Sequence, residues 1–457
     1  MFNLLELLDR SASGEPITPN DWDFEVAMAT RRLVKKYGLD WDRSRPINDD
    51  PARADAVFDA AFDLALEMGV FNYSTGRVVR FSADELKMGL QRTPQAVVLG
   101  QGKDARTLYA RSVRDTRAPL AWAGTPGTPV PESVFVAMSQ SYAQEPLIDM
   151  MTCGTLTEVD GRVVETGSLL EIVATRRELQ FLREAARRAG RPGIGLLAAQ
   201  SSVSELGDLA VSNPAYLRPC DSHLVPMLNE LKVENRNIAR AINSLEYGML
   251  NASLACVIVG GMGGDAPGSA VVQAASFILA NLVCAADYHL LHPIDIRHVA
   301  TSTRSVLFVS SAVAQAFARR APCVIVGDIY PKSGAGTAEL LYETAANAIV
   351  HTVSGSHLEG CGAADGKVHH ASGLEARFMA EVGRAATAQQ LDLDEANNLV
   401  NQLLERYEHL FRRGAAENPG LPFEQVYDLR AIRPTEAWQR TYDEVKEAVR
   451  GMGLSAL

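Results

Sequence analysis

Eight short apolar runs, many ending in glycine or a polar residue, recur along the middle of this chain at roughly 30- to 45-residue intervals. They are Pro119–Ala123, Ile148–Cys153, Gly193–Ala198, His223–Leu228, Leu254–Gly260, His292–His298, Cys323–Gly327 and His357–Ala363. Each interval has room for one strand and one returning helix. The intervening segments carry helical periodicity: Arg176–Gly190, stopped by Gly190-Arg191-Pro192, then Val306–Arg319 and Thr337–Thr352. Strands that alternate with helices build a parallel sheet buried on both faces, and eight such units predict a closed (β/α)₈ barrel. The alternative, an open doubly wound sheet, carries a glycine-rich phosphate turn after its first strand. Here that position reads Gly124-Thr125-Pro126-Gly127-Thr128-Pro129, where two prolines remove two N–H donors.

The barrel is expected over residues 116–385. A helical N-terminal extension over 1–115 packs on it, and C-terminal helices occupy 386–457. The 457 residues are 47% hydrophobic, enough for one large core. The net charge of −11, with no Lys/Arg run, argues against a nucleic-acid partner. Met1–Pro16 lacks the basic start of a signal peptide, and Glu6 and Asp9 break its apolar stretch. The longest apolar-rich stretch, Ala270–Ala286, is interrupted by Gln273, Ser276 and Asn281 and reads as a buried helix, so no membrane span is expected. The six cysteines form no C-x-x-C pair; buried thiols in a reducing cytoplasm are expected, and no metal site.

Barrel chemistry sits at the C-terminal strand ends and the loops that follow them. That rule selects Cys153, Leu197, Gln200, His223, Asp265, Asp295, Arg297, His298, Asp328, Tyr330, Lys332, Glu359 and Cys361. Asp295 and Arg297 share a face if strand six runs through them, either as a site or as an ion pair that only fills the barrel. Asp328 and Tyr330 follow strand seven; a carboxylate beside a phenol suits a cationic nitrogen, whereas a structural Asp328 would cap the loop before Pro331. His223 stands at a strand start and reads as structural, and His292 and His298 lack helical ligand spacing. The loop Gly260-Gly261-Met262-Gly263-Gly264-Asp265 lacks the Lys-Ser/Thr of a nucleotide loop and reads as a tight turn or a close approach to a flat ligand.

Several motifs occur together in order. They are Asp21-Trp22-Asp23, Lys36-Tyr37-Gly38-Leu39-Asp40, Val98-Leu99-Gly100-Gln101-Gly102-Lys103-Asp104-Ala105 and Gly190-Arg191-Pro192-Gly193-Ile194-Gly195. Asp221-Ser222-His223, Leu228-Asn229-Glu230-Leu231-Lys232, Gly373-Leu374-Glu375-Ala376-Arg377 and Pro434-Thr435-Glu436 follow. In this the chain resembles the monomethylamine:corrinoid methyltransferase family over nearly its whole length. The resemblance implies a (β/α)₈ barrel, a symmetric homo-oligomer of which a hexamer is one form, and methyl transfer to the cobalt of a separate small corrinoid protein. It implies no tightly bound cofactor; the corrinoid (cobalamin) arrives with the partner.

The resemblance also marks a departure. The family's pyrrolysine, an electrophile that captures the amine, corresponds to Leu197, and two family glutamates correspond to Leu224 and Leu254. A family glutamine corresponds to Asp328, a tyrosine is kept as Tyr330, and a histidine corresponds to Asp295. These changes imply a pyrrolysine-independent methyltransferase whose donor is a methylated or quaternary amine, similar in design to pyrrolysine-free barrels of the trimethylamine branch. Asp328, Tyr330 and Asp295 are the expected catalytic, cation-holding residues. Leu197, Leu224, Leu254, Arg297 and Gln200 are the expected substrate-binding ones. The competing expectations are a barrel with other chemistry, such as pterin-linked methyl exchange, and a non-catalytic binding subunit.

Overall fold

A computed structural model describes residues 4–198, 204–360, 362–412, 415 and 418–457. Its centre is one eight-stranded parallel sheet: β1 (Trp122–Ala123), β2 (Met150–Thr152), β3 (Gly195–Ala198), β4 (Ser222–Met227), β5 (Leu250–Ala255), β6 (Tyr288–Leu291), β7 (Ile325–Ile329) and β8 (His357–Gly360). The strands neighbour one another in chain order. The seam between first and last is closed by a parallel bridge of Ala121 to Leu358, with Leu358 N donating to Leu120 O at 3.0 Å. The returning helices are α1 (Glu132–Ala143), α2 (Leu169–Arg188), α3 (Glu205–Val211), α4 (Asn235–Glu246), α5 (Ala266–Val283), α6 (Arg304–Arg320), α7 (Ala338–Ser354) and α8 (Gly373–Ala388). The expected (β/α)₈ barrel is the observed fold.

Two strands lie upstream of their expected places. The sequence predicts strands at Leu254–Gly260 and His292–His298, whereas β5 ends at Ala255 and β6 at Leu291. The cause is polar residues on the faces turned toward the helices. Asn251 Nδ2 donates to Ala241 O and Cys284 O, both at 3.2 Å, and Ser253 Oγ lies 2.7 Å from His289 Nδ1. Once their hydrogen bonds are made, these groups are tolerated under helices, so an apolar-run criterion passes over them. The downstream runs instead form a small parallel pair, Ile258–Val259 with Ile294–Asp295, outside the eight-stranded sheet.

The N-terminal region is not purely helical. The helices Pro19–Lys36 and Pro51–Met68 are followed by a hairpin of Val70–Asn72 and Arg77–Val79, whose first strand pairs with Lys232–Val233. A second hairpin, Ala96–Leu99 with Arg106–Tyr109, closes the barrel floor. Its Val97, Leu99 and Leu108 join Trp122, Met150, Leu197, Ala252, Tyr288, Leu290 and Val326 in one interior cluster. Gly100 N donates to Cys220 O and Gln101 N to Gly193 O, which pins the hairpin below β3 and β4. Alternate residues of the parallel strands thus fill the lower barrel, as the fold requires. One helix among the described residues, α5, is long and apolar enough to cross a membrane by length and composition. It is buried between the Pro51–Met68 helix and α6, as expected for the Ala270–Ala286 stretch.

Candidate active site

Strand alternation turns Leu197, Leu224, Leu254, Asp328 and Glu359 to the same interior face as the floor residues. His292, one residue past β6, Cys256, one past β5, and Tyr330, one past β7, continue that face. Leu197 is fully buried in the interior cluster, and Leu224 and Leu254 pack on it. Leu224, Pro226, Leu254, Cys256 and Tyr330 are only half-buried although they face the barrel axis. Inward side chains keep exposed surface only beside open space, so the upper barrel is a cavity with an apolar wall on β4 and β5.

The opposite wall is acidic. Asp328 and Glu359 are register partners on β7 and β8, 4% and 0% exposed. Asp328 Oδ2 lies 2.5 Å from His292 Nδ1. Asp328 Oδ1 and both Glu359 carboxylate oxygens have no hydrogen-bond partner among the described residues. Burial, with Asp328 adding its charge, raises the Glu359 carboxyl well above the ordinary range. Burial pushes the Cys256 thiol up to about 12, again with a contribution from Asp328, so it is a neutral thiol.

The Tyr330 ring meets His292 edge-on at 4.7 Å, and its hydroxyl donates to Pro126 O in the loop after β1. Burial first, then Asp328, raises its phenol, so it stays protonated. Gly362 is required here: a Cβ would come within 2.4 Å of the Tyr330 ring. Behind this wall the His351 ring of α7 sits where a side chain on Gly327 would be, 2.1 Å from an ideal Cβ. Burial, and then His292, lowers His351 to about 3, so it is neutral.

The structure therefore brings Asp328, Tyr330, Leu197, Leu224 and Leu254 together and leaves Asp295 and Arg297 out. Asp295 sits on the outer Ile294–Asp295 strand, and its carboxylate accepts from Arg297 N at 2.8 Å, stapling the turn that follows. It lines a separate 420 Å³ cavity with Trp41, Asp265, Arg304, Glu408 and Phe411. Arg297 does not fill the barrel; its side chain is 74% exposed. The inward placement expected for this pair depended on a strand six that begins four residues too late. Gln200 and Cys361 lie outside the described residues. The glycine-rich loop folds around Glu230, whose carboxylate accepts from Ile258 N at 3.3 Å and Gly263 N at 3.1 Å. Its Asp265 caps α5 through Ala266 N. His223 is fully buried on the helix-facing side of β4.

Two residues of the acidic wall lay beyond the expected set. Glu359 met the strand-end rule, but no motif singled it out. The spacing of His292 to His298 carries no ligand signal, because the partner of His292 is Asp328 on the neighbouring strand. Barrel strand order is the signal that joins them. Asp295→Ala is expected to change affinity for a cationic donor by less than about threefold, since distant sites act independently. Isothermal titration with tetramethylammonium checks this, and a larger loss would return Asp295 to the site.

A closed parallel barrel with an apolar and acidic cavity at the C-terminal ends of its strands defines a (β/α)₈-barrel enzyme scaffold. Which one is decided by comparison. The family model "Monomethylamine methyltransferase MtmB" matches residues 2–454. Monomethylamine methyltransferase MtmB of Methanosarcina mazei is 31% identical over 456 residues, 99% of this chain and 98% of the relative. MtmB1 of Methanosarcina barkeri is 31% identical over 460 residues, with the same coverage. The crystal structure of the Methanosarcina barkeri enzyme superimposes with a TM-score of 0.95 at 30% identity, covering 98% of both chains. A hydroxylamine complex of MtmB gives the same values. The chain belongs to the monomethylamine methyltransferase MtmB family, a family of corrinoid-dependent methyltransferases.

Proposed function

We propose that this protein moves a methyl group from a small methylated amine, held as a cation, to the cobalt of a corrinoid carried by a separate small protein. We further infer that it does so without pyrrolysine, because leucine at position 197 offers neither an electrophile nor a hydrogen bond. The observation that carries the reading is the buried carboxylate pair Asp328 and Glu359 opposite Leu224 and Leu254, of which Asp328 Oδ1 and both Glu359 oxygens have no hydrogen-bond partner among the described residues. Buried carboxylate oxygens without partners are costly, and a cation between the two walls would neutralise them. The Tyr330 ring edges the same space and can add cation–π attraction. A quaternary donor already carries a neutral amine as its leaving group, so the cobalt nucleophile can attack its methyl carbon directly. Leu197, Leu224 and Leu254 would keep water from that carbon. A homo-oligomer, as the family resemblance implies, in the cytoplasm, as the cysteine usage suggests, completes the proposal.

The test is methyl transfer to reduced Co(I) cobalamin from a panel of methylated amines, betaines and thioethers, followed by methyl-Co(III) absorbance. Turnover with a quaternary amine and none with monomethylamine is expected. Silence across the panel with an active acceptor would favour other chemistry or a binding role. A UAG codon for residue 197 in the gene would restore the monomethylamine reading.

The acidic pair predicts a pH dependence. In the empty cavity Glu359 holds its proton, because burial and Asp328 raise its carboxyl. A bound cation favours the ionised form, so donor binding releases about one proton, and affinity rises with pH until Glu359 is ionised in the empty site as well. Calorimetric titration with tetramethylammonium, in two buffers of different ionisation heat, counts that proton. Glu359→Gln is expected to abolish the release.

A further inference from the structure

We propose that a second cavity, between the loops after β1 and β2 and the first half of α2, binds a small alkylammonium ion whose N–H is accepted by Glu178. The cavity encloses 240 Å³ and is separate from the barrel interior. Gly127 and Pro129 line it, while Pro126 of the same loop accepts the Tyr330 hydroxyl on the barrel side. That loop is tied to the segment after β2 by Thr155 N donating to Thr128 O and Val130 N to Thr155 O, both at 2.8 Å. One loop therefore borders both spaces. Binding of the ion goes beyond the methyl-transfer reading and stands without it. Under that reading, the demethylated amine is an ion of this kind.

Glu171 and Glu178, two turns apart on α2, turn to this cavity together with Ala174 and Thr175. The Glu171 carboxylate is satisfied: it accepts from Gly167 N at 2.6 Å, Ser204 N at 2.9 Å and Ser204 Oγ at 2.5 Å. Glu178 is not. Its Oε1 accepts from Leu156 N at 2.8 Å, but Oε2 has no partner among the described residues, and the residue is 3% exposed. Thr155 Oγ1 has no partner among them either, and Thr155 lines the same cavity at 8% exposure. Burying such groups unpaired is costly, and a donor brought by a ligand removes that cost.

The lining sets the class of ligand. Among the described residues no Lys, Arg or His lines the cavity. The two arginines before Glu178 are engaged elsewhere: Arg177 pairs with Glu132 and Asp160, and Arg176 lies over the Tyr216 ring at 5.4 Å. Two carboxylates without a basic neighbour favour a cation. Leu156, Val164, Ala174 and Pro129 give it apolar sides, which suit alkyl groups better than a hydrated metal ion. Without a cation beside it, burial pushes the Glu178 carboxyl up to about 8; an ammonium there restores the ionised form and adds a charge-assisted hydrogen bond. A quaternary ammonium has no N–H to give. The cavity thus discriminates against an uncleaved quaternary donor and in favour of the amine that has lost a methyl.

The experiment is calorimetric titration of the full-length protein with trimethylammonium, with tetramethylammonium present throughout to fill the barrel cavity. About one trimethylammonium per chain is expected to bind, and potassium chloride at the same concentration should give no such binding. Glu178→Gln keeps an acceptor for Leu156 N and removes the charge. It should weaken trimethylammonium at least about tenfold, the scale of one hydrogen bond to a charged group, and change tetramethylammonium affinity by less than about threefold. Asp328→Asn should leave the trimethylammonium site within about threefold. Ala174→Leu, which fills the cavity from α2 and retains the carboxylate, should also weaken trimethylammonium about tenfold; it carries the test if circular dichroism shows that Glu178→Gln does not fold. Unchanged trimethylammonium affinity in the folded variants would overturn the proposal. So would complete competition by tetramethylammonium, or equal binding of potassium. A wild type that binds trimethylammonium through Glu178 but does not bind tetramethylammonium would remove the cation-site reading of the barrel and leave this inference standing.

Discussion

Asp328→Ala is expected to weaken tetramethylammonium binding on the order of 1000-fold, because removing one partner of a buried charge pair costs about 3–5 kcal/mol. The side chain is 4% exposed and is the hub of the acidic wall. Its Oδ2 holds His292, its Oδ1 has no partner among the described residues, and its charge helps to keep Glu359 protonated. Alanine removes the negative charge that the cation would meet and leaves the His292 Nδ1 without its acceptor. Asp328→Asn separates charge from shape: the amide keeps the volume and one acceptor oxygen, so most of the loss should remain if charge is responsible. Calorimetric titration of both variants measures this. Wild-type affinity in Asp328→Asn would sink the cation-site reading while leaving the fold untouched.

Trp122→Ala should be the most damaging single change to the scaffold, lowering stability by about 3–5 kcal/mol. Among the described residues, the first strand contributes Trp122 and Ala123 to the sheet, and the barrel closes there through one bridge, Ala121 to Leu358. Few backbone hydrogen bonds hold this seam, so side-chain packing must. Trp122 is fully buried, with ring centroids 6.3 Å from Tyr288 and 6.2 Å from His357, spanning the interior from β1 to β6 and β8. Deleting the indole leaves a void lined by Leu197, Met150 and Val326 that closed strands cannot collapse to fill. The unfolding midpoint in guanidinium, followed by tryptophan fluorescence and circular dichroism, reads the effect. A loss under about 1 kcal/mol would mean that the seam is held by something other than this ring.

Both variants depend on features of very different visibility in the sequence. The barrel was legible because each strand is buried on two faces and each helix on one. Burial of that kind leaves a repeating trace of apolar runs and helical segments, and the family motifs confirmed it over the full length. Leu197 and the Asp328–Tyr330 pair were legible because strand-end position and residue type are local properties, whereas Leu224 and Leu254 were marked only by the family resemblance. β5 and β6 were misplaced because Asn251, Ser253 and His289 look polar in one dimension and are satisfied in three. That four-residue error put Asp295 in the barrel and hid His292.

What the sequence by itself determined about this protein is the (β/α)₈ scaffold, its family, and an apolar wall at the upper barrel, since these follow from hydrophobic pattern and local motif. Only the tertiary structure decided the acidic wall. His292, Asp328 and Glu359 come from three strands separated along the chain by whole helices, and only closure of the barrel sets them side by side. Their charges matter through that proximity: a buried carboxylate changes its neighbour's protonation over a few ångströms, and no reading along the chain carries that distance.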